Sequence, residues 1–115
     1  METVRWDEEP IDQLNPLMGR QMLSGQAMTL ARITLDTGAV VPEHRHENEQ
    51  IATVLAGRVR FVVGDEERVV REGESVLIPS DVPHSVEALV DSVVMDVFAP
   101  RREDWLRGDD AYLRG

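Results

Sequence analysis

The fold assignment depends on residues 38–50, GAVVPEHRHENEQ, which carry two of the three histidines of this chain. His44 and His46 are two positions apart, and side chains at that spacing project from the same face of a β-strand. Gln50 has the same parity four positions later. The third histidine, His84, follows the proline-containing turn PSDVP, and antiparallel strands could place it beside the first two. The pattern predicts a shared metal ion, with ordinary surface or core imidazoles as the alternative.

Outward from this stretch, the chain consists of short apolar segments separated by turns. Residues 27–36, AMTLARITLD, alternate between the two faces of a predicted strand, and residues 58–70 form a predicted hairpin around Gly64 and Asp65. Residues 11–23 have no sustained helical period and are predicted to be extended. The polar residues 102–115 are predicted to form a helical turn or a docked tail. Many short strands with almost no helix indicate an all-β sandwich or barrel.

Length and composition limit the classes of protein to consider. The chain has 115 residues, of which 42% are hydrophobic and 30% charged, and this predicts one domain over residues 1–115 with a barrel core at about 27–100. The acidic N-terminus has no apolar signal core, so we expect a cytoplasmic protein. The net charge of −10 argues against nucleic acid and membrane partners. An anionic small molecule would therefore have to be captured by local cations.

Asp96 lies inside an apolar strand, in the stretch SVVMDVFAP. It shares a strand face with Val94 and Phe98, so it is predicted to point into the barrel. A buried carboxylate is costly unless positive charge compensates it. Burial raises its pKa and a nearby cation lowers it, which makes Asp96 a candidate general base or acid. The alternative is an outward-facing aspartate, or an ion pair with Arg32 or Arg60.

The chain beyond this strand contains further candidate ligand-binding residues. Arg101 and Arg102 follow it at the predicted barrel rim, where one arginine could bind a substrate carboxylate through two hydrogen bonds. Arginines at such a rim are also commonly solvated without a function. Phe98 is predicted to line the site. Trp105 and Tyr112 are interpreted as anchors of the tail or of a subunit contact, and not as ligand-binding residues.

Two segments resemble the paired motifs of the cupin superfamily. The first spans residues 38–57, with Gln50 where the family usually has glutamate. The second spans residues 73–84, with Asp81 where the family usually has glycine. The resemblance implies a double-stranded β-helix, or jelly-roll, barrel. It also implies one divalent metal ion with four ligands, namely His44, His46, Gln50 and His84.

The ligand set implied by this resemblance has chemical consequences. Three imidazoles and a carboxamide are neutral, so the charge of the ion is left uncompensated. The set also lacks the carboxylate of the facial triad found in non-haem iron oxygenases. Such donors suit Ni, Zn, Fe, Co or Cu. The alternative is that Gln50 only orients the site through hydrogen bonds while water replaces it on the metal.

A longer resemblance, over about residues 19–114, is to the KdgF-type pectin degradation family of small cupins. It rests on the segments GAVVPEHRHENEQI, VLIPSDVPHSVEAL, DSVVMDVFAPRREDWL and DAYLR. The resemblance implies conversion of a 4,5-unsaturated monouronate into its linear 4-deoxy-5-keto form. It assigns catalysis to Asp96 and Arg102, and substrate contact to Phe98 and Arg102. Because two arginines stand in PRRED, Arg101 remains an alternative to Arg102.

Two other classes of function are consistent with the sequence. One is a cupin dioxygenase or lyase that acts on another small molecule, and the other is a non-catalytic sugar-binding cupin. A binding protein has no need of a buried base, so Asp96 distinguishes these classes. Small cupins commonly pair as homodimers through N-terminal strands, and residues 19–30 are the segment expected to do so here.

Overall fold

The computed structural model describes residues 1–115. It contains ten strands and two short helices. In chain order they are β1 (Asp12–Asn15), β2 (Met18–Ser24), β3 (Thr29–Leu35), β4 (Val40–His44), β5 (Glu49–Ala56), β6 (Arg58–Val63), β7 (Glu66–Arg71), β8 (Ser75–Ile78), β9 (His84–Ala88), β10 (Ser92–Ala99), α1 (Glu103–Leu106) and α2 (Ala111–Arg114). The prediction of an all-β protein is confirmed.

The strands form two antiparallel sheets. The larger has six strands in the order β1-β2-β3-β10-β5-β8, and the smaller has four in the order β4-β9-β6-β7. Neighbours in the sheets are mostly distant in the chain, as in the pairing of β3 with β10 and of β4 with β9. Segments separated by about forty to seventy positions therefore lie side by side, and each sheet brings together side chains from both halves of the sequence.

Alternating burial on β3 and β10 produces the core. On β3, Ala31, Ile33 and Leu35 are buried, and on β10 the same holds for Val94 and Phe98. Period-two burial of this kind leaves one face of the strand for the core and one for the surface. The core also includes residues 14 and 18 of the first two strands.

Two tight turns explain particular residues of the sequence. Gly57, between β5 and β6, has a φ of +94°, and a Cβ there would lie 2.5 Å from the carbonyl oxygen of Asp91. No side chain fits at that position. Asp81, where the cupin motif usually has glycine, has a φ of +61°, in the left-handed region that glycine favours and aspartate tolerates. The backbone of the motif is thus retained with a different residue.

Both ends of the chain pack onto the six-stranded sheet. Strand β2 is paired on one side with β1 and on the other with β3, so neither of its edges is free. The C-terminal segment, residues 102–115, contains α1 and α2 and docks against the first two strands. Asn15 donates a hydrogen bond of 2.7 Å to the backbone carbonyl of Leu113. Neither helix has the length or the apolar content that a membrane crossing requires.

Candidate metal centre

The three histidines converge although they lie on separate segments. His44 ends β4 and is directly opposite His84, the first residue of β9. His46 follows in the loop after β4. Ring centroids are 4.2 Å apart for His44 and His84, and 4.9 Å apart for His46 and His84. One ring nitrogen from each residue lies within 4.8 Å of the others. The three imidazoles are therefore positioned to bind a metal ion.

Backbone carbonyls set the tautomer of all three histidines. Each Nδ1 lies 2.8–2.9 Å from a carbonyl oxygen two residues away, those of Pro42, Asn48 and Val82. A carbonyl can only accept, so each Nδ1 carries the hydrogen and donates it. Burial lowers the pKa of His44 and His46 to about 4, and it also lowers the pKa of His84. The rings are therefore neutral at pH 7 and each Nε2 presents a lone pair, as a metal ligand requires.

Two observations test whether these residues fit a metal ion. The Nε2 of His84 is buried and has no hydrogen-bond partner. The Nε2 of His46 lies 3.2 Å from Oε1 of Gln50, so two acceptor atoms face each other. A buried acceptor without a donor is unfavourable, and a bound cation would satisfy the two Nε2 atoms and Oε1 of Gln50. The donor set of three imidazoles and one carboxamide oxygen therefore fits a divalent ion.

Gln50 connects the histidine cluster to Asp96. Its Oε1 is adjacent to His46, and its Nε2 donates a hydrogen bond of 3.0 Å to Oδ1 of Asp96. Gln50 lies on β5 opposite Phe98 of β10, and its side chain is buried. The bond to Asp96 determines which end of the amide faces the histidines, because only the nitrogen can donate to a carboxylate.

Asp96 lies at the centre of β10, where it is 8% exposed. Its cross-strand neighbours are Ala31 on β3 and Ala52 on β5, whose small side chains leave room for the carboxylate. Burial raises the pKa of Asp96 to about 7, although the hydrogen bond from Gln50 and the charge of Arg102 oppose this effect. Both protonation states are accessible near neutral pH, as acid–base chemistry requires.

The alternative positions considered for Asp96 are not observed. Its side chain does not point outward, and neither Arg32 nor Arg60 pairs with it. Arg60 forms salt bridges with Glu67 and Glu87 on the smaller sheet. Arg32 donates to the side chain of Gln21.

Arg102 is buried, and not at a solvated rim as its place in the sequence had indicated. It is 1% exposed, and its Nε and Nη2 donate to both carboxylate oxygens of Asp104 at 3.0 and 2.9 Å. Its Cζ lies 4.7 Å from the ring centroid of Phe98 and 4.0 Å from that of Trp105. Arg101 instead pairs with Glu103 near the surface, at 2.6 Å. The fold therefore brings Arg102, and not its neighbour, to the same interior cavity as Asp96.

Comparisons with known proteins agree with this architecture. The family model described as "Cupin domain" matches residues 31–98, which include all three histidines, Gln50 and Asp96. The chain belongs to the cupin domain family. The implied jelly-roll barrel is therefore confirmed, and His44, His46 and His84 converge within the matched residues.

Individual cupins resemble this chain over most of its length. The pectin degradation protein KdgF of Dickeya dadantii is 29% identical over 103 residues, which cover 87% of this chain and 94% of the relative. The structure of KdgF from Halomonas sp. superimposes with a TM-score of 0.87 at 28% identity, covering 91% and 98% of the two chains. An RmlC-like cupin from Shewanella frigidimarina gives a TM-score of 0.86 at 25% identity, covering 91% and 96%. The resemblance to KdgF is thus confirmed in sequence and in structure.

An interior cavity of this cupin barrel is lined by all the predicted site residues except His46. Its wall is mainly apolar, and Phe98 is part of it. The polar groups that line it are His44, Gln50, His84, Asp96, Arg102 and Tyr112. His46 lines a separate polar pocket at the surface, together with Arg45 and Asp104. The cavity is therefore a mainly apolar chamber that is also lined by Asp96, Arg102 and two of the three histidines.

The structure places two aromatic residues at this cavity that the sequence interpretation had kept apart from ligand binding. Trp105 and Tyr112 both line it. Trp105 packs edge-to-face on Phe98 with centroids 5.0 Å apart, and the ring of Tyr112 lies 4.8 Å from that of His44. Both residues anchor the tail, as expected, but the tail they anchor is a wall of the cavity. The signal in the sequence was two amphipathic aromatics within a strongly charged segment.

Asn48 is a further residue of the site that the sequence analysis did not single out. It is buried, its carbonyl accepts from Nδ1 of His46, and its side-chain amide donates to the carbonyl oxygens of Pro100 and Arg101. It therefore links the histidine loop to the end of β10 and orients His46. An asparagine in a loop of charged residues carries no such signal by itself.

Proposed function

We propose that this protein is a metal-dependent enzyme that converts 4,5-unsaturated monouronates into the linear 4-deoxy-5-keto uronate. The observation that carries the proposal is the buried carboxylate of Asp96, which shares a cavity with the neutral imidazoles of His44 and His84 and with the guanidinium of Arg102. The similarity to proteins named for pectin degradation supports the substrate class, since breakdown of pectin by lyases yields unsaturated uronates. Small anionic sugars are thus the proposed ligands.

The reaction requires two proton transfers at one sugar. The substrate is a cyclic hemiacetal whose ring oxygen is attached to an alkene. Removal of the anomeric hydroxyl proton, with cleavage of the bond from that carbon to the ring oxygen, gives an aldehyde and an enolate. The enolate then takes a proton at C4 and becomes the ketone. The overall change is an isomerisation, so no oxidant or reductant is consumed.

Asp96 is suited to both transfers. Its Oδ1 accepts the hydrogen bond from Gln50, while its Oδ2 makes no hydrogen bond within the protein. The free oxygen can accept the hydroxyl proton and later return a proton to C4. Because its pKa is raised to about 7, the group is a stronger base than an ordinary aspartate and is still ionised in part at neutral pH.

Arg102 is proposed to hold the carboxylate of the substrate. Asp104 and Tyr112 accept from its Nε and Nη2, whereas Nη1 makes no hydrogen bond within the protein. A guanidinium N–H directed at a carboxylate is a strong, charge-assisted contact. In a chain with a net charge of −10, such a local cation is needed to attract an anion. The ring of Phe98 supports the guanidinium from one side.

The proposed metal ligands are His44, His46, His84 and Gln50. A divalent ion there would stabilise negative charge that develops on a substrate oxygen, as a Lewis acid. The neutral donors leave the charge of the ion available for that purpose. Ni, Zn, Fe, Co and Cu all suit such donors.

The proposal is tested by supplying unsaturated galacturonate to purified, metal-loaded protein. Ultraviolet absorbance of the conjugated alkene of the substrate should decay faster than the spontaneous rate. NMR should identify the keto product. Decay at the spontaneous rate would contradict the proposal. Binding without turnover would instead favour a sugar-binding cupin, and turnover that consumes oxygen would favour a dioxygenase.

A further inference from the structure

We infer that the hydroxyl of Tyr112 donates a hydrogen bond to the carboxylate of the substrate, beside Nη1 of Arg102. The inference rests on the proposed function and adds a residue from the C-terminal segment to the substrate site. Tyr112 would thereby help to select uronates over neutral sugars.

The hydrogen bonds around Tyr112 leave only its own hydrogen free. The phenolic oxygen accepts from Nη2 of Arg102 at 2.9 Å and from Nε1 of Trp105 at 3.2 Å. Neither nitrogen can accept, because guanidinium and indole N–H groups are donors only. A phenol has two lone pairs and one O–H, so both lone pairs are engaged and the O–H must point elsewhere.

The surroundings of Tyr112 direct that hydrogen towards the cavity. No residue of the protein accepts a hydrogen bond from the hydroxyl, and Tyr112 lines the same cavity as Asp96. The adjacent Nη1 of Arg102 is also without an acceptor. The cavity therefore contains two neighbouring donors, one cationic and one neutral, that lack acceptors. A carboxylate has two oxygens that accept such donors together.

Two features make this donor stronger and its position more definite. The charge of Arg102 on the phenolic oxygen polarises the O–H, as expected for a chain of hydrogen bonds in a buried site. The ring is held against His44 at a centroid distance of 4.8 Å, and Trp105 is buried against Phe98. The hydroxyl is thus preorganised before a ligand enters.

The first experiment compares Tyr112→Phe with wild type in steady-state ring opening of unsaturated galacturonate. We expect KM to rise about ten-fold or more, as for a lost hydrogen bond to a charged group, with kcat changed by less than about three-fold. Trp6→Phe is the control, because it replaces an aromatic side chain of the segment before β1 that does not line the cavity. Its KM should stay within about three-fold of wild type.

A KM for Tyr112→Phe within two-fold of wild type would overturn the inference. An equal rise in KM for Trp6→Phe would also overturn it, because that result indicates an effect that does not depend on the O–H of Tyr112. Failure of the proposed function is a distinct result, because the wild-type protein itself would then show no ring opening. In that case the inference falls with it, whereas an active wild type with an unaffected Tyr112→Phe removes only the inference.

A second measurement needs no substitution at this position. Tyr112 is the only tyrosine of the chain, so the ¹³C resonance of its hydroxyl-bearing carbon is assigned without ambiguity. Titration of metal-loaded protein with galacturonate should shift that resonance, and galacturonate methyl ester should shift it much less. Equal shifts for the acid and the ester, or no shift with galacturonate, would contradict a contact to the carboxylate.

Discussion

At the scale of single residues, Gln50 makes the connection between metal chemistry and proton transfer. The two ends of its amide face different partners, His46 and Asp96. A glutamate at this position would lose the hydrogen bond donated to Asp96 and would place a second carboxylate against it. Two carboxylates at that distance repel each other, which raises the pKa of Asp96 and disfavours its ionisation. The amide thus allows a ligand oxygen and an ionisable base to be adjacent.

The role of Asp96 predicts the behaviour of Asp96→Asn. The amide has the same shape but cannot accept a proton, so kcat/KM for ring opening should fall by about 100-fold or more. Circular dichroism and elemental analysis should show an intact fold and unchanged metal content. Asp65→Asn, at the exposed tip of the β6–β7 hairpin, is the matched control and should retain full activity. Near-normal turnover by Asp96→Asn would remove this residue from the mechanism.

The histidine cluster predicts a coupling between metal binding and stability. A ligand that binds only the folded state adds about 2.7 kcal/mol at a concentration of 100 times its Kd. Added Ni²⁺ or Zn²⁺ should therefore raise the Tm of the wild-type protein, and a chelator should reverse the change. His84→Ala removes the buried Nε2 that has no other partner, so its Tm should not respond. Stoichiometric metal in purified His84→Ala would contradict this ligand assignment.

At the scale of elements, a buried ion cluster attaches the C-terminal segment to the sheet. The Nη2 of Arg20 on β2 lies 2.8 Å from Oδ2 of Asp110 and 3.2 Å from Asp12. Arg114 donates to the other oxygen of Asp110 at 2.9 Å. Arg20 also lies 4.6 Å from the ring centroid of Trp105. This cluster therefore supports the segment that supplies Arg102 and Tyr112 to the cavity.

Asp110→Asn tests how far that attachment contributes to stability. The substitution leaves the guanidinium of Arg20 buried without its buried counterion, which should cost about 3 kcal/mol of unfolding free energy at neutral pH. Urea denaturation measures the difference. Asp109→Asn, at the exposed neighbouring position, is the control and should change stability little.

The loss of stability in the same variant should depend on pH, and the direction follows from the pKa of Asp110. The hydrogen bond from Arg114, with smaller contributions from Arg20, lowers the pKa of Asp110 below 3.8 in spite of burial. A lowered pKa in the folded state stabilises the protein fully above the pKa of the unfolded chain, and the stabilisation is lost as pH falls through the folded value. The difference in unfolding free energy between wild type and Asp110→Asn should therefore become smaller below about pH 4. An equal gap at pH 3 and pH 7 would contradict this account.

At the scale of the whole molecule, the outer face of the six-stranded sheet carries a row of apolar side chains. Leu30, Val97, Ile51 and Leu77 are paired in register across four strands. Val97 is 39% exposed, Ile51 47% and Leu77 54%. Contiguous apolar side chains on a surface are a common property of interfaces. The homodimer stays a prediction, and since both edges of β2 are already paired, we place the contact on this face.

Light scattering tests the dimer and its location. The wild-type protein should have twice the mass of the chain, and Ile51→Lys combined with Leu77→Lys should have the mass of a monomer, because burying two ammonium groups in an apolar contact is strongly unfavourable. Val69→Lys, at a partly exposed position of the smaller sheet, is the control and should remain dimeric. A monomeric wild type would reject the dimer, and a dimeric double variant would reject this face.

Local patterns in the sequence were sufficient for the strands and for part of the site. Strict alternation in β3 and β10 predicts which side chains are buried, because successive residues of a strand point to opposite faces. The same rule placed Asp96 inside the barrel with Phe98. The spacing of His44 and His46 predicted that these two imidazoles lie together, and their ring centroids are 5.6 Å apart. These features depend on neighbours within a few positions, so the sequence alone could determine them.

Only the tertiary structure decided which distant groups meet. His44 faces His84 because β4 pairs with β9, and the amide of Gln50 is oriented by a carboxylate 46 positions away. Arg102, Trp105 and Tyr112 enter the cavity because a buried ion pair between Arg20 and Asp110 folds the tail back onto the sheet. No local period encodes such a contact, since its free energy depends on burial and charge compensation that arise only when both segments are packed.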